Sequence, residues 1–324
     1  MARTALDPVL LTSSVGGHFN ELEFVVDALE IPRAERHWVL PRHIQTDERL
    51  AREQVTWSPL VQSGEYVKAA RNLGFAVALH RRLRPRLVVS TGAAQSTPHL
   101  VAAALLRTPI LYVESVARMD SPSVTGRLAA LLPKARLLAP QPGWPAPWEH
   151  GLDAFSAFEV TAGHADLPLR RAMVALGSEH FPFPRAVDAI VRAVPTGVEV
   201  TWQVGETLGS DGADRNRWLT AKQMTASMRS ADVVITHGGA GSILTALDAG
   251  QVPVVLPRHA AHGEHVDDHQ VRMVQSLAAR GLVVAVPDPA QLSVDHLRRA
   301  ATLAVTRRSR PALVPVPAAM SHVA

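Results

Sequence analysis

Short apolar runs alternate with helix-length amphipathic stretches along most of this chain. That alternation predicts an α/β fold whose parallel sheets are covered by helices on both faces. Two observations sharpen the prediction. The alternation stops at a proline-dense stretch, 140–150 (PQPGWPAPWEH), and resumes at Met173, so two α/β domains are expected with a boundary between Pro140 and Pro168. Each half also contains a strand that runs into a glycine-rich turn and then a helix, SSVGGH at 13–18 and THGGAGS at 236–242.

In chain order, 8–14 (PVLLTSS) reads as the first buried strand. Gly16-Gly17-His18 follows, then a helix from Asn20 to Leu29. Trp38 to Leu40 is a second short strand, and the charged run 42–54 is expected to be a surface loop or helix. Glu65 to Leu83 has helical spacing and ends in Arg81, Arg82, Arg84 and Arg86. Leu87 to Ser90 is a strand, Thr91 to Ser96 a turn, Pro98 to Leu106 a helix, and Ile110 to Val113 a strand ending in Glu114-Ser115. In the second half, Met173 to Leu176 is a strand leading to the turn Gly177-Ser178. A helix from Pro184 to Ala193 and a strand from Val198 to Val204 follow.

The apolar run Val233-Val234-Ile235 then enters the second glycine turn, a helix closed by Gly250, and a strand from Val252 to Leu256. Beyond that strand lie Glu264, Asp267, Asp268, His269 and Gln270, at the strand end where open α/β sheets bind ligands. The last elements are a strand at Leu282 to Val286, a helix at Ser293 to Thr306, and a tail, 307–324, rich in Pro and Ala. Glycines in such turns let backbone N–H groups approach an anion, and the following helix adds partial positive charge. The turn at 236–242 is neither GxGxxG nor a Walker loop, so phosphate binding by a tight turn and a plain βα connection are both open on spacing alone.

The 324 residues are 47% hydrophobic and 19% charged, a composition for a soluble chain with ample core. There is no cysteine, which excludes disulfides, zinc–thiolate sites and thiol catalysis and makes a cytoplasmic home the default expectation. The N-terminal apolar run is too short for a signal peptide, and no uncharged apolar segment is long enough to span a membrane. Net charge is +4 but uneven, with eleven Lys or Arg against two Asp or Glu from Lys68 to Arg136. Such a patch suits lipid headgroups, a diphosphate or nucleic acid, or is plain solvated surface. Only 5% of residues are aromatic, which argues against base-stacking platforms and hence against a nucleic-acid partner.

The segments ADVVITHGGAGS, PVVLPR and HGEHVDDHQ, with VALGSEHFPFPR at 174–185, resemble the donor-binding half of the family 28 GT-B glycosyltransferases. In particular they resemble the catalytic subunit of the two-part N-acetylglucosaminyltransferase of dolichol-linked glycan synthesis and its bacterial exopolysaccharide counterparts. SSVGGHFNEL at 13–22, STGAAQSTP at 90–98 and YVESVARMDSPSVTGR at 112–127 are similar to the partner subunit. The chain thus looks like both subunits fused, partner half first, over nearly all of 9–286. Relatives of the partner subunit often begin with a membrane-anchoring helix, which this sequence does not show.

The resemblance implies a GT-B fold of two Rossmann-like domains facing across a cleft, 1–165 for the acceptor and 166–324 for a UDP-sugar donor. It implies inverting transfer of a hexose, with N-acetylglucosamine favoured, to a sugar on a polyprenyl diphosphate. The expected setting is the cytoplasmic side; the arginine-rich end of the helix at 65–83 suits peripheral contact with the inner membrane face, and a core helix with solvated ends is equally open. Backbone and hydroxyl groups of Gly238, Gly239, Gly241 and Ser242 would hold the leaving diphosphate without a metal or other cofactor. Gly177, Ser178 and His237 would lie near it. Glu264 matches the family's ribose-binding acid, and Asp268, His269 and Gln270 match the segment that reads sugar hydroxyls. The other roles open are capping of the following helix for Glu264 and His265 and a plain surface position on it for His269 and Gln270, and motif order favours ligand contact for Glu264, His269 and Gln270. For Arg258, pairing with the diphosphate and a structural role stand level.

On the acceptor side, His18 beside Gly16 and Gly17 is the first candidate base, its free pKa of about 6.5 suiting neutral pH. Glu114 is the rival. Gly92 and Gln95 would line the acceptor side, and Arg118 and Arg127 would hold its diphosphate or are surface charge. Three other functions fit the same motifs: transfer to a soluble small molecule, UDP-N-acetylglucosamine 2-epimerisation, and a non-catalytic nucleotide-sugar-binding partner.

Overall fold

The computed structural model describes residues 7–308 apart from 63–64, 164–167, 178–180, 214 and 266. The chain divides into two units between Ala154 and Phe155. That is earlier than the expected boundary at 165, which falls on residues outside the described ones.

The first unit is built on a parallel sheet of seven strands. These are β1 (Val9–Thr12), β2 (Arg36–Leu40), β3 (Gln54–Trp57), β4 (Leu87–Ser90), β5 (Ile110–Val113), β6 (Ala135–Ala139) and β7 (Trp148–His150). Their order is β3-β2-β1-β4-β5-β6-β7, every neighbouring pair parallel. Its helices are α1 (Gly17–Ala28), the short α2 (Ile44–Asp47), α3 (Tyr66–Leu83), α4 (Thr97–Leu105) and α5 (Val124–Ala129). The central strands are apolar on both faces because helices cover them; Leu10, Val39, Val88, Ile110 and Tyr112 are fully buried in one core cluster. Strand order reverses at β1, whose neighbours are β2 and β4, so the ends of β1 and β4 flank a topological switch point.

The second unit repeats the plan with β9 (Arg171–Ala175), β10 (Glu199–Gln203), β11 (Val233–His237), β12 (Val254–Leu256) and β13 (Val284–Ala285). Their order is β10-β9-β11-β12-β13, all parallel. Here the switch point lies between β9 and β11. The helices are α6 (Pro184–Ala193), α7 (Ala221–Ser230), α8 (Ala240–Asp248), α9 (His269–Ala279) and α10 (Val294–Ala301). α7 starts with a capping box, the Thr220 hydroxyl accepting from Gln223 N and the Gln223 side chain accepting from Thr220 N. A two-stranded antiparallel ribbon, β8 (Phe158–Ala162) with β14 (Leu303–Arg307), completes this unit.

That ribbon corrects two expectations. The helix predicted to Thr306 ends at Ala301, and the chain turns at Thr302 into a strand. Residues 158–162 belong with the second unit because their ladder partner is 303–307. β3 likewise emerges where a charged surface loop or helix was expected to close, pairing Trp57 with Leu40.

Candidate active site

In the first unit, Thr12 and Ser90 are register partners, so the turns beyond them lie side by side. Gly16 caps α1 with φ 78°, a left-handed value that glycine adopts without strain. His18 follows in the first turn of α1. Its Nδ1 lies 2.8 Å from the Thr91 carbonyl oxygen, and the Thr91 hydroxyl donates to the His18 carbonyl at 2.7 Å. A carbonyl only accepts, so Nδ1 carries the proton and the Nε2 lone pair is left for chemistry. Burial pushes the His18 pKa below its ordinary value, the Thr91 hydrogen bond raises it, and the positive charge of Arg118 lowers it further. The ring is held neutral and singly protonated, the state a general base needs.

Glu114 is placed differently. It is buried, and its carboxylate accepts from Ser123 N at 2.9 Å, Ser123 Oγ at 3.1 Å, Ser115 N at 3.2 Å and the Tyr112 hydroxyl at 3.4 Å. Burial raises its pKa, and the hydrogen bonds from Ser123 and Ser115 oppose that rise. Four donors occupy its lone pairs, so its position is that of a staple between β5 and the start of α5. Gly126 sits against it, where a Cβ would come within 2.1 Å of Oε2.

Gln95 is also a staple. Its Oε1 accepts from Val61 N at 2.7 Å, and its Nε2 donates to Ser58 Oγ at 2.8 Å and to the Pro59 carbonyl at 3.1 Å. Gly92, at φ 93°, packs under the Tyr112 hydroxyl, which a Cβ would meet at 2.5 Å. Gly17 opens α1. Arg118 is partly buried near His18, while Arg127 is exposed on α5. Glu21, one turn after His18, was not singled out by its sequence. It is buried, accepts from Ser115 Oγ at 2.9 Å, and burial raises its pKa to about 8, so it is protonated at neutral pH.

In the second unit, Ala175 and Thr236 are register partners, so Gly177 and the 237–242 turn meet at the switch point. His237 is the packing centre. A Cβ at Gly177 would lie 2.9 Å from its ring, and one at Gly239 would lie 2.2 Å from its Nε2. Its Nδ1 is 3.3 Å from the Ala175 carbonyl, and burial, aided by Arg258, pushes its pKa down to about 3. A neutral buried ring thus sets the shape of the turn. Gly239 caps α8 with no side-chain capping hydrogen bond, so the positive end of this helix carries no side-chain cap. Gly241 is buried in α8 and Ser242 is partly exposed beside it. Gly238 packs on Gln270, whose Cβ a methyl group at Gly238 would meet at 3.0 Å. Ser178 lies outside the described residues.

Arg258 is almost wholly buried and serves the loops. Its Nη2 donates to the Leu176 carbonyl at 2.7 Å, and its Nη1 donates to the carbonyls of Phe181 and of Glu264, the latter at 3.3 Å. Glu264 is buried too, bridged by Arg185 through Nε at 2.5 Å and Nη2 at 3.0 Å, and it accepts from His259 N at 3.0 Å. Sequence reasoning missed Arg185, whose one signal was its place at the end of the VALGSEHFPFPR segment. Gln270 accepts from Arg258 N at 3.1 Å, and the exposed Asp268 accepts from Ala260 N at 2.9 Å. His269 opens α9 with its Nδ1 hydrogen-bonded to Asp267.

Residues 172–308 match the model of the glycosyltransferase family 28 C-terminal domain. Among curated proteins, the chain is similar to a UDP-N-acetylglucosamine–N-acetylmuramyl-(pentapeptide) pyrophosphoryl-undecaprenol N-acetylglucosamine transferase of Xylella fastidiosa strain M12. The two are 28% identical over 71% of this chain and 66% of that protein. The enzyme of the same name from Chlorobium luteolum is 27% identical over 81% and 74%. The chain spans 59% to 66% of the length of the Xylella relatives. Among solved structures, MurG of Acinetobacter baumannii aligns with a TM-score of 0.54 at 17% identity, covering 90% of this chain and 89% of that one. The glycosyltransferase SnogD of Streptomyces nogalater aligns at 0.55 and 20%, covering 91% and 93%. The chain therefore has GT-B glycosyltransferase architecture. Within that class it is family-28-like, through its C-terminal unit.

Proposed function

We propose that this protein is an inverting glycosyltransferase that moves a hexose, N-acetylglucosamine first among candidates, from a UDP-sugar to a sugar carried on a polyprenyl diphosphate. The family match over the second unit and the activity that the relatives are named for support the donor and acceptor classes. The observation that carries the reading is His18, held neutral with Nε2 as its basic atom at the switch point of the first unit.

In this mechanism His18 Nε2 takes the acceptor hydroxyl's proton as that oxygen attacks the anomeric carbon, and the bond to the diphosphate breaks. The amides at the start of α8, with Ser242, take up the charge that develops on the leaving diphosphate. Gly238 and Gly239 let that anion approach the backbone. Glu264, its carboxylate fixed by Arg185, sits beside the ribose, and His269 and Gln270 read the sugar. Arg118 offers a cation on the acceptor side. Glu114 is the weaker candidate for base because its oxygens are already engaged.

Among the described residues no helix is long and apolar enough to cross a membrane. Contact with the inner membrane face is assigned to α3, where the exposed Val67 stands beside Lys68 and Arg71 and the helix ends in exposed Arg81 and Arg82. Flotation with anionic vesicles tests this, and a chain that stays at the bottom of the gradient argues for a soluble acceptor.

The donor assignment is tested by thermal-shift titration with UDP, UDP-sugars, GDP, dTDP and NAD. A ligand at a hundredfold excess over its Kd adds about 2.7 kcal/mol. A shift with UDP and one UDP-sugar is expected. No shift with any uridine nucleotide would remove the donor site.

A further inference from the structure

The second unit gathers imidazoles. His237, His259, His262, His265 and His269 fall within one stretch of the chain, and the donor reading uses only part of them. Three groups at the end of this stretch converge. His265 Nδ1 and His269 Nδ1 each face Asp267 Oδ1, and one ligand atom from each residue lies within 4.8 Å of the others. The two imidazole rings meet edge to face at 4.5 Å, and Phe181 stacks on His265 at 5.4 Å. The side chains of His265 and His269 are 9% and 17% exposed, so the rings are held by packing while the carboxylate, at 35%, keeps one side open.

A hydrogen bond between Asp267 and His269 explains two members of this group. His265, packed on Phe181 and His269, also brings its Nδ1 to 3.9 Å from the same carboxylate oxygen. That spacing is long for a hydrogen bond but close to what two ligands of one ion show. Atoms each about 2.1 Å from a tetrahedral metal are roughly 3.4 Å apart, so seating an ion requires the hydrogen-bonded Asp267–His269 pair to open by about an ångström and His265 to close by about half of one. Two imidazoles and one carboxylate form a donor set for a borderline transition cation, with a coordination position left for water or ligand. Magnesium and calcium prefer all-oxygen sites.

We propose that His265, Asp267 and His269 form a binding site for one divalent transition cation, of the zinc, cobalt or nickel type. Nothing in the proposed transfer requires this ion, but His269 belongs to both readings, so the site is tested by metal binding in the absence of UDP-sugar and through His265 and Asp267, which the donor reading does not use.

The test uses the untagged full chain, stripped with a chelator and titrated with Co²⁺ while visible d–d absorption is recorded. The expected result is a band that saturates at about one Co²⁺ per chain, is abolished by Zn²⁺, and is unaffected by Mg²⁺. Asp267→Asn is nearly isosteric and His265→Ala removes one ligand. Each should weaken Co²⁺ binding at least about tenfold, while metal-free melting and circular dichroism show that both variants fold. His262→Ala, an exposed histidine outside the trio, should bind as the parent does. No band at stoichiometric Co²⁺ would overturn the site. So would parental affinity in the two ligand variants, or an equal loss in His262→Ala.

Discussion

A methyl group at Gly239 would sit 2.2 Å from His237 Nε2, and the neighbouring wall, Gly177, is closed to a Cβ both by contact and by its φ of 91°. The ring cannot give way without disturbing β9 and β11, which it joins. Gly239→Ala is therefore expected to cost about 1–3 kcal/mol and to abolish the UDP thermal shift, because the amides of α8 turn away with the ring. Melting with and without UDP reads both effects, and an undiminished shift would show that the turn is not the diphosphate cradle. Glu21 supplies a second prediction. Its pKa is raised from 4.5 to about 8 in the folded protein, so its contribution is fully present below pH 4.5 and is lost as pH rises through 8. Glu21→Gln mimics the protonated form. Its melting temperature should fall less than the parent's between pH 5 and pH 9, and identical slopes would place the buried proton elsewhere.

Between elements, α3 and α4 meet through two histidines. His80 and His99 stack at 5.6 Å, both buried, and His80 Nδ1 and Nε2 and His99 Nδ1 have no hydrogen-bond partner. Burial lowers their pKa values to about 4 and about 3. Depressed histidines favour the folded state while neutral, so stability present above pH 6.5 is lost as pH falls toward those values. His99→Leu removes an unsatisfied buried nitrogen and is expected to raise stability at pH 7 by about 1 kcal/mol. It should also flatten the acid limb of a melting-temperature profile; an unchanged acid limb would show that acid unfolding starts elsewhere.

The elements also show what the sequence could and could not tell. Strands buried on both faces, such as Leu87–Ser90 and Ile110–Val113, were legible as apolar runs, and α3 was legible from its spacing. β8 and β14 were not, because each is half exposed and gains its identity only by pairing across the unit. The same distance hid Arg185, which finds Glu264 far along the chain, and it disguised Gln95, whose buried amide serves residues 58–61. Glycine turns were visible because their geometry is local. Long-range hydrogen bonds decide which polar groups near those turns are already occupied.

At the scale of the whole molecule, each unit has one strand-order reversal and one histidine at it, and the two histidines differ in kind. His237 is sealed between glycines with its pKa near 3, so it shapes the site and titrates outside any working range. His18 is only partly buried, with its proton fixed on Nδ1. The proposed transfer divides accordingly, with the second unit holding the donor and the first supplying the base. His18→Ala should then leave the UDP thermal shift of the parent intact while lowering kcat by about 10²–10⁴. In the parent, the acid limb of the kcat/KM profile should lie below pH 6.5, because burial lowers the pKa of this base, and activity should fall as pH drops through it. Full activity in His18→Ala with normal UDP binding would move the base to another residue. Loss of UDP binding in the same variant would instead mean that the first unit helps hold the nucleotide, and the division of labour would have to be redrawn.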